Sequence, residues 1–379
     1  MQRSWDIFCT VIDNYGDIGV CWRLAKQLVA EHHQSVRLWV DDLASFAQIA
    51  HDIHAQRQHQ SIQGVEICLW QQSVIADVDP ADIVIEAFGC ELPTHYVQRL
   101  ALKKYPVLWV NLEYLSAESW VPHYHELPSP HPDLPLIKTF FFPGFVAGTG
   151  GLLREHHLIS QRNAFDAESE HTFLQHHHFP IKESAELWVS LFCYETAPIE
   201  RLVQILCESS LPVVLFVPEG EIARRIRTFL TKNAHFHEKL LRHGQLTVQV
   251  FPWLEQAEYD RLLWSCDINI VRGEDSFVRA QWAAKPFIWT IYPQTDDAHW
   301  NKLNAFLDCY TAGMETETTN VVRALWTSWN GKTDLSPIMW MNFLALRKSL
   351  MQHNNDWVDH LLKQNDLTSN LVQFVENRL

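Results

Sequence analysis

The sequence lacks the motifs that identify several common classes of enzyme. It contains no G-x-G-x-x-G dinucleotide fingerprint, no C-x-x-C pair and no H-E-x-x-H zinc motif. A nicotinamide-dependent dehydrogenase is therefore the least favoured enzyme class, and we expect no metal centre. The sequence also lacks any run of roughly 18 uninterrupted apolar residues, which a membrane-spanning helix would need.

Positive charge is also scarce. The 379 residues include 30 Lys and Arg against 45 Asp and Glu, which gives a formal net charge of −15. Because nucleic acids and anionic membranes recruit clustered Lys and Arg, we expect neither as a partner. The eight cysteines lie mostly in apolar segments and the N-terminus has no secretion signal, a pattern typical of reduced thiols in a cytoplasmic protein.

Short apolar runs alternate with amphipathic segments, which predicts an α/β protein with two doubly wound, Rossmann-like domains. A chain of 379 residues exceeds the size at which a single core usually suffices. We assign the first domain to residues 1–155 and the second to residues 184–356, joined by a polar, histidine-rich linker at 156–183. The proline-rich stretch at 116–154 breaks the alternation, and its aromatic and glycine-rich part is interpreted as a loop.

The most informative turn connects a predicted strand at 5–12 to a predicted helix at 20–31. It carries two carboxylates, Asp13 and Asp17, and two glycines that we expect to adopt positive φ, Gly16 and Gly19. The first strand-to-helix turn is where α/β folds place ligands. Carboxylates there repel a diphosphate, but they can hold a cation or accept a proton from a nucleophile. A bland alternative stays open, in which one acid caps a helix and the other only turns the chain.

A second functional turn follows the predicted strand at 268–271 and reads Arg272, Gly273, Glu274, Asp275, Ser276. We expect Ser276 to cap the next helix and, with Arg272 and the helix N-terminus, to bind a diphosphate. The two acids are then available to a sugar or a base. The alternative is a capped helix with a local Arg–acid pair, which is worth little when exposed.

Aromatic residues follow two more predicted strands of the second domain. Phe192 and Tyr194 follow one strand, and Trp253 follows the other. Aromatic rings at such positions can stack on a nucleobase, while Gln256 can read its edge. Core packing is the alternative for all three rings. In the first domain, Glu113 and Tyr114 follow a predicted strand at 107–111, and we expect them near Asp17.

These segments together resemble a known family. VIDNYGDIGVCWRLA, FFFPGF, SLFCYE and YDRLLWSCDINIVRGEDSFVRAQWAAKPFIWTIYPQ are similar to EarP, the bacterial arginine rhamnosyltransferases that act on translation elongation factor P (EF-P). The resemblance implies the GT-B architecture, in which two Rossmann-like domains face each other with the active site in the interdomain cleft. In that architecture a C-terminal helix, here at about 357–379, packs back on the first domain.

The resemblance also implies the reaction, which is an inverting transfer of rhamnose from dTDP-β-L-rhamnose to one arginine of EF-P. It needs no metal and no other cofactor. The alternatives are another GT-B enzyme, such as a heptosyltransferase or a nucleotide-sugar epimerase, and a non-catalytic module that binds a nucleotide and the factor.

The roles of individual residues follow from the same resemblance. It makes Asp17 the general base, Asp13 its companion and Glu274 an acid needed for activity. The loop near the acceptor or sugar comprises Asn14, Tyr15, Gly16 and Gly19. The donor-binding residues are Phe192, Tyr194, Trp253, Gln256, Arg272, Glu274, Asp275 and Ser276. Trp253 stands where the family pattern has Phe, and Glu255 stands where it has Pro.

Overall fold

The computed structural model describes residues 2–13, 15–71, 78–231, 240–294 and 296–379. The chain divides into two compact units. Unit 1 comprises Met1–His156 with Leu362–Leu379, and unit 2 comprises His157–Leu361. Among the helices in the described ranges, none is both long enough and apolar enough to cross a membrane.

Unit 1 is built on an eight-stranded sheet. Its strands are β1 (Ser4–Cys9), β2 (Ser35–Val40), β3 (His59–Ile62), β4 (Val65–Leu69), β5 (Ile83–Ala87), β6 (Leu108–Leu112), β7 (Pro128–Pro130) and β8 (Ile137–Phe141). The helices described between them are α1 (Gly16–Ala30), α2 (Leu43–Ile49), α3 (Thr94–Ala101) and α4 (Val121–Tyr124).

The strand order of this sheet places its ligand-binding crevice. The order is β3-β4-β2-β1-β5-β6-β8-β7, and only the edge strands β3 and β7 pair antiparallel to their neighbours in the described sheet. Strands β2, β3 and β4 lie on one side of β1, and strands β5 to β8 lie on its other side. The order therefore reverses between β1 and β5, and in open α/β sheets ligands bind at the carboxyl ends of the strands at such a point. The acidic turn follows β1 at this point.

A buried polar cluster fixes β1 beneath that turn. Phe8 lies between Trp39 and Tyr96, with ring centroids 5.7 and 4.8 Å away. Asp6 is fully buried, and its carboxylate accepts hydrogen bonds from the Arg37 guanidinium at 2.6 Å and the Trp39 indole at 3.0 Å, and from the Tyr96 hydroxyl. Because a buried charge is stable only with partners of this kind, the cluster ties β1 firmly to its neighbours.

Unit 2 contains a second α/β sheet. Its strands are β9 (Leu187–Leu191), β10 (Val213–Pro218), β11 (Leu240–His243), β12 (Leu246–Phe251), β13 (Ile268–Arg272) and β14 (Phe287–Thr290). Its described helices are α5 (Leu158–Ala164), α6 (Ala167–His176), α7 (Ile199–Cys207), α8 (Glu221–Thr231), α9 (Gln256–Ser265), α10 (Asp275–Trp282), α11 (Ala298–Tyr310), α12 (Thr316–Trp329), α13 (Pro337–Ala345) and α14 (Arg347–Leu361).

The second sheet repeats the logic of the first. Its order is β11-β12-β10-β9-β13-β14, with β11 antiparallel to β12 and the other described pairs parallel. The order reverses between β9 and β13. Phe192 follows β9 and Arg272 ends β13, so both residues lie at the point where this sheet is expected to bind a ligand.

Residues 157–183 belong to unit 2 and do not form the predicted linker at 156–183. Helix α6 places Phe173 and Leu174 in one buried cluster with Phe179, Trp188 and Phe216. The linker was predicted from composition, since the segment is polar and rich in His and Gln and contains few apolar residues. Those few are the residues that pack on the sheet.

The helix that packs back on unit 1 is shorter than the predicted span of 357–379. Helix α14 ends in unit 2, and α15 (Leu367–Glu376) belongs to unit 1. The Leu367 amide donates to the Leu152 carbonyl at 2.9 Å. The Thr368 hydroxyl donates to Gln27 of α1 at 2.7 Å. The C-terminal segment therefore completes unit 1 through its last helix and through the residues just before it, where the Gln364 amide donates to the Phe145 carbonyl at 2.7 Å.

The stretch at 116–154 contains two strands that were not predicted, and β8 includes the first two residues of the predicted aromatic loop, Phe140 and Phe141. Strand β8 pairs parallel with β6 and is itself covered by the short strand β7. Pro128 and Pro130 lie in β7, at the edge of the sheet. A proline has no backbone N–H, and an edge strand can tolerate this because no further strand pairs with its outer side. The prolines that argued against a helix were therefore compatible with strands.

Candidate functional site

The acidic turn of unit 1 is tighter than predicted, because α1 begins at Gly16 and already includes Asp17 in its first turn. Gly16 and Gly19 are both helical, so the expectation of positive φ is wrong. Gly16 is needed for a different reason. A Cβ atom there would lie 2.6 Å from the Asp13 carboxylate oxygen Oδ2. The glycine therefore lets the Asp13 carboxylate approach the start of the helix.

Asp17 is almost completely buried, with 3% of its surface exposed. Its Oδ2 atom accepts hydrogen bonds from the backbone N–H groups of Ile12 at 3.0 Å and Asp13 at 2.8 Å. The Tyr114 hydroxyl also donates to it. Burial raises the pKa of Asp17 above its ordinary value, although these hydrogen bonds oppose the shift. Asp17 is consequently a stronger base than an exposed aspartate.

Two aromatic side chains from neighbouring strands complete this site. Tyr114 follows β6 and bonds to Asp17, which confirms the expectation that it lies near that acid. Phe88 follows β5 and stacks on Tyr114 with ring centroids 4.6 Å apart. The backbone of Phe88 has φ +57°, which is rare for an aromatic residue and signals local strain. Sequence reasoning missed Phe88. Its only signal in the sequence is that an aromatic residue directly follows a strand.

The rest of the predicted loop is partly described. Asn14 lies outside the described residues. Tyr15 precedes α1, and its carbonyl accepts the Gly19 amide at 2.9 Å. Glu113 is half-buried, and burial raises its pKa despite a 2.5 Å hydrogen bond from the Asn111 amide. The charged groups that act on the Glu113 carboxyl group are Lys138 and Glu86, so of the pair predicted near Asp17 it is Tyr114 that contacts this acid.

In unit 2 the predicted donor-binding aromatics surround Arg272. The guanidinium carbon of Arg272 lies 4.4 Å from the ring centroid of Phe192 and 4.7 Å from that of Tyr194. Phe192 in turn meets Trp253 edge-on, with ring centroids 5.6 Å apart. Because β9 and β13 are adjacent in the sheet, their ends bring these side chains together. Two ring faces hold the cation by cation–π attraction.

The turn after β13 is fixed from several sides. Gly273 has φ +60°, which glycine adopts without strain, and its carbonyl accepts the Trp289 indole N–H at 2.8 Å. The Gln256 amide donates to the Asp275 carboxylate at 2.9 Å. Glu274 forms an ion pair with Lys302 at 3.0 Å. Asp275 is thus held by a neutral amide donor, and Glu274 is held by a cation.

One side chain in this turn differs from its predicted capping role. Ser276 does not cap α10, since it is the second residue of the helix and its hydroxyl donates to the Arg272 carbonyl. The same hydroxyl accepts the Arg272 amide at 3.1 Å. It therefore fixes the backbone from which the Arg272 side chain projects. Gln256, predicted to read a base edge, donates its amide N–H to Asp275.

Two further tyrosines lie beside these rings and were not singled out from the sequence. Tyr292 meets Tyr194 edge-on at 5.4 Å, and Tyr259 meets Phe192 at 6.2 Å. Tyr292 comes shortly after β14, the next strand beyond β13, so a search of every strand end would have found it. The arrangement offers ring faces for a base, a guanidinium for phosphate oxygens and the N-terminus of α10 beside it.

A group of potential metal ligands lies elsewhere in unit 1. Ligand atoms of His59, Glu66 and Cys68 lie within 4.8 Å of one another on β3 and β4. His59 Nε2 is 2.5 Å from Glu66 Oε1, as in a hydrogen-bonded pair. Burial raises the pKa of the Cys68 thiol to about 12, whereas a metal binds the thiolate. The group is two strands away from β1 and plays no part in the acidic turn.

Comparison with known proteins identifies the family. The model of the family described as Elongation-Factor P (EF-P) rhamnosyltransferase EarP matches residues 5–376. A protein-arginine rhamnosyltransferase of Pseudomonas putida is 45% identical over 381 residues and covers 100% of both chains. Its counterpart from Pseudomonas aeruginosa is 43% identical over 381 residues, covering 98% of this chain and 99% of that protein.

Solved structures agree with the sequence relatives. The structure described as the basis for EarP-mediated arginine glycosylation of EF-P is 35% identical, covers 100% of both chains and has a TM-score of 0.70. The spinosyn rhamnosyltransferase SpnG shares only 13% identity but covers 99% of this chain and 100% of its own, with a TM-score of 0.54. These likenesses confirm the predicted α/β fold of the GT-B class. Since the family model and full-length relatives agree, the chain belongs to the EarP family of EF-P rhamnosyltransferases.

Proposed function

We propose that this protein transfers L-rhamnose from dTDP-β-L-rhamnose to an arginine side chain of EF-P, with inversion at the anomeric carbon. One observation carries the proposal. A buried, proton-accepting Asp17 in unit 1 occurs in the same chain as an Arg272 held between two aromatic rings in unit 2. Because translation factors act in the cytoplasm, we propose a cytoplasmic reaction, with neither a nucleic acid nor a membrane as partner.

The acidic turn suits a guanidinium acceptor. A guanidinium is permanently charged and presents a planar set of N–H donors that match carboxylate oxygens. Asp13 and Asp17 supply carboxylates four residues apart at the start of α1. They attract and orient a cation, whereas a neutral sugar hydroxyl would gain little from two negative neighbours. The turn therefore favours an arginine over a sugar as the acceptor.

Asp17 then takes the proton that the acceptor must lose. Ordinary aspartate, with a pKa of about 3.9, is too weak a base to deprotonate free arginine in advance. Burial raises the pKa of Asp17, which narrows this gap without closing it. Proton transfer is consequently concerted with attack, because the guanidinium nitrogen becomes acidic only as its new bond forms.

The donor turn stabilises the leaving nucleotide. Phe192, Tyr194 and Trp253 provide ring faces for thymine, while Arg272 and the N-terminus of α10 face the diphosphate. In the displacement, a guanidinium nitrogen bonds to the anomeric carbon as the bond from that carbon to the diphosphate oxygen breaks. The electron pair leaves with dTDP, and the proton passes to Asp17. Arg272 offsets the charge that develops on the diphosphate, so the step needs no metal.

The proposal is tested by incubating the purified protein with EF-P and dTDP-β-L-rhamnose and measuring the intact mass of EF-P. We expect a gain of one deoxyhexose on wild-type EF-P and none on a variant whose acceptor arginine is replaced by lysine. Parallel reactions use dTDP-glucose as donor. Transfer from dTDP-glucose but not from dTDP-rhamnose would point to a different GT-B transferase.

A second candidate function remains testable in the same experiment. A non-catalytic module would bind dTDP-rhamnose and EF-P without changing the mass of the factor. Calorimetric titration of both ligands, run beside the mass assay, separates this case from loss of folding. Binding of both ligands with no mass gain at high enzyme concentration would overturn the proposed catalysis.

A further inference from the structure

A lysine outside the predicted site touches the donor turn of unit 2. The ammonium group of Lys302, on α11, lies 3.0 Å from Glu274 Oε1. Both side chains are largely withdrawn from solvent, with exposures of 19% for the lysine and 14% for the glutamate. An ion pair at this depth is screened far less by salt than a surface pair. The contact is therefore part of the local electrostatics of the turn.

The charge balance of the turn shows why such a partner matters. Residues 272–276 contribute one cation, Arg272, and two carboxylates, from Glu274 and Asp275. Asp275 receives a hydrogen bond from the neutral amide of Gln256, which leaves its charge in place. Without Lys302, these three ionised groups sum to one negative charge. A nucleoside diphosphate would then approach a turn that repels it.

We infer that Lys302 is a positioning residue for donor binding, which neutralises Glu274 and fixes its carboxylate so that the turn accepts a nucleoside diphosphate. The inference rests on the proposed function, which supplies the dTDP donor. Lys302 acts in it through Glu274, while Arg272 remains the cation assigned to the phosphate oxygens.

The packing around the turn fixes the backbone from which the Glu274 side chain projects. The backbone is already held, because the Trp289 indole donates to the Gly273 carbonyl at 2.8 Å. Trp289 is itself stacked on Phe277, with ring centroids 4.0 Å apart and planes 8° from parallel. The Lys302 ammonium, on the neighbouring helix α11, restricts the rotation of the Glu274 side chain and also offsets its negative charge.

A charge-balance cycle tests this role. Calorimetry with dTDP as the probe is run on wild type, Lys302→Met, Glu274→Gln and the double variant. We expect Lys302→Met to weaken dTDP binding about tenfold, the scale of one uncompensated charge near the phosphates. The double variant removes both charges, so its affinity is expected within about threefold of wild type. Glu274→Gln alone is expected to bind dTDP as tightly as wild type or more tightly.

Controls separate this role from a general loss of structure. Lys302→Arg keeps the positive charge and is expected to bind dTDP nearly as well as wild type. Lys182→Met removes another partly buried lysine of unit 2, paired with Asp267 at 2.9 Å, and is expected to leave dTDP affinity unchanged. If Lys302→Met does not fold, Lys302→Gln takes its place in the cycle, with folding checked by thermal unfolding.

The outcomes distinguish this inference from the proposed function. A double variant that binds dTDP as weakly as Lys302→Met would overturn the inference, because Lys302 would then act on the nucleotide directly. Unchanged affinity in Lys302→Met would overturn it as well. Wild-type protein that binds no dTDP would overturn the donor assignment itself, and the inference with it.

Discussion

Replacing Asp17 by asparagine separates the proposed chemistry of the acidic turn from its structural role. Asparagine keeps the shape of the side chain and one carbonyl oxygen, which can still accept the backbone N–H groups of Ile12 and Asp13. It cannot accept a proton. We therefore expect Asp17→Asn to fold normally, to bind dTDP like wild type and to lose about 100- to 10,000-fold in turnover, the usual contribution of a general base.

The structure also sets the expected change in stability. Burial raises the pKa of Asp17 in the folded chain, so its ionised form is disfavoured relative to the protonated form. The resulting destabilisation is absent below the unfolded-state pKa, grows as the pH rises through the folded-state value and is complete above it. Asparagine resembles the protonated acid. At pH 7 we therefore expect the free energy of unfolding of Asp17→Asn to be equal to or higher than that of wild type.

Thermal unfolding at pH 7 and at about pH 4 measures this difference, since the advantage of the variant shrinks as Asp17 becomes protonated. Asp41→Asn is the matched control. Asp41 also accepts a backbone N–H in this loop, from Val11 at 2.9 Å, but it is exposed. We expect Asp41→Asn to retain turnover. Near-normal turnover of Asp17→Asn would refute the base assignment. A loss of more than about 3 kcal/mol in stability would refute the account of its burial.

Two other substitutions probe the two turns separately. Arg272→Lys keeps the charge but loses the planar group held between Phe192 and Tyr194, so dTDP affinity is expected to fall at least about tenfold in calorimetry. Equal affinity would show that the sandwich does not order the donor site. Gly16→Ala places a methyl group against the Asp13 carboxylate, at a distance of 2.6 Å before relaxation. Turnover in the mass assay is expected to fall while dTDP affinity stays constant, and a loss of dTDP affinity would contradict this division of roles.

Most elements that position the site could be predicted from local pattern. The strand predicted at 268–271 is observed as β13 with one further residue at its end, and the strand predicted at 107–111 is observed as β6, shifted by one residue. The site residues of unit 2 follow strand ends, so recognising the strands was enough to bring Arg272 near Phe192 and Tyr194. Adjacency in a parallel sheet does this work, because carboxyl ends of neighbouring strands share one edge.

What could not be predicted depends on contacts between distant residues. The glycines of the acidic turn suggested positive φ, yet Gly16 is helical, and a glycine fits there because the Asp13 carboxylate packs against it. Strand β8 lies in a proline-rich stretch, and its pairing with β6 and β7 makes it a strand. Lys302 lies 28 positions from Glu274, and no local spacing connects them. Tertiary packing overrides local preference in each case.

The partners of the acids decide which of them serves as the base. Glu274 is held in an ion pair by the Lys302 ammonium at 3.0 Å. Asp17 is held by backbone amides and the Tyr114 hydroxyl, and its pKa is raised by burial. Burial makes the protonation of a carboxylate more favourable, because it disfavours the charged form. An ion pair opposes protonation, because the attraction to the cation would be lost. Asp17 is therefore the carboxylate proposed to take the proton, and Glu274 is proposed to act in the donor turn together with Lys302.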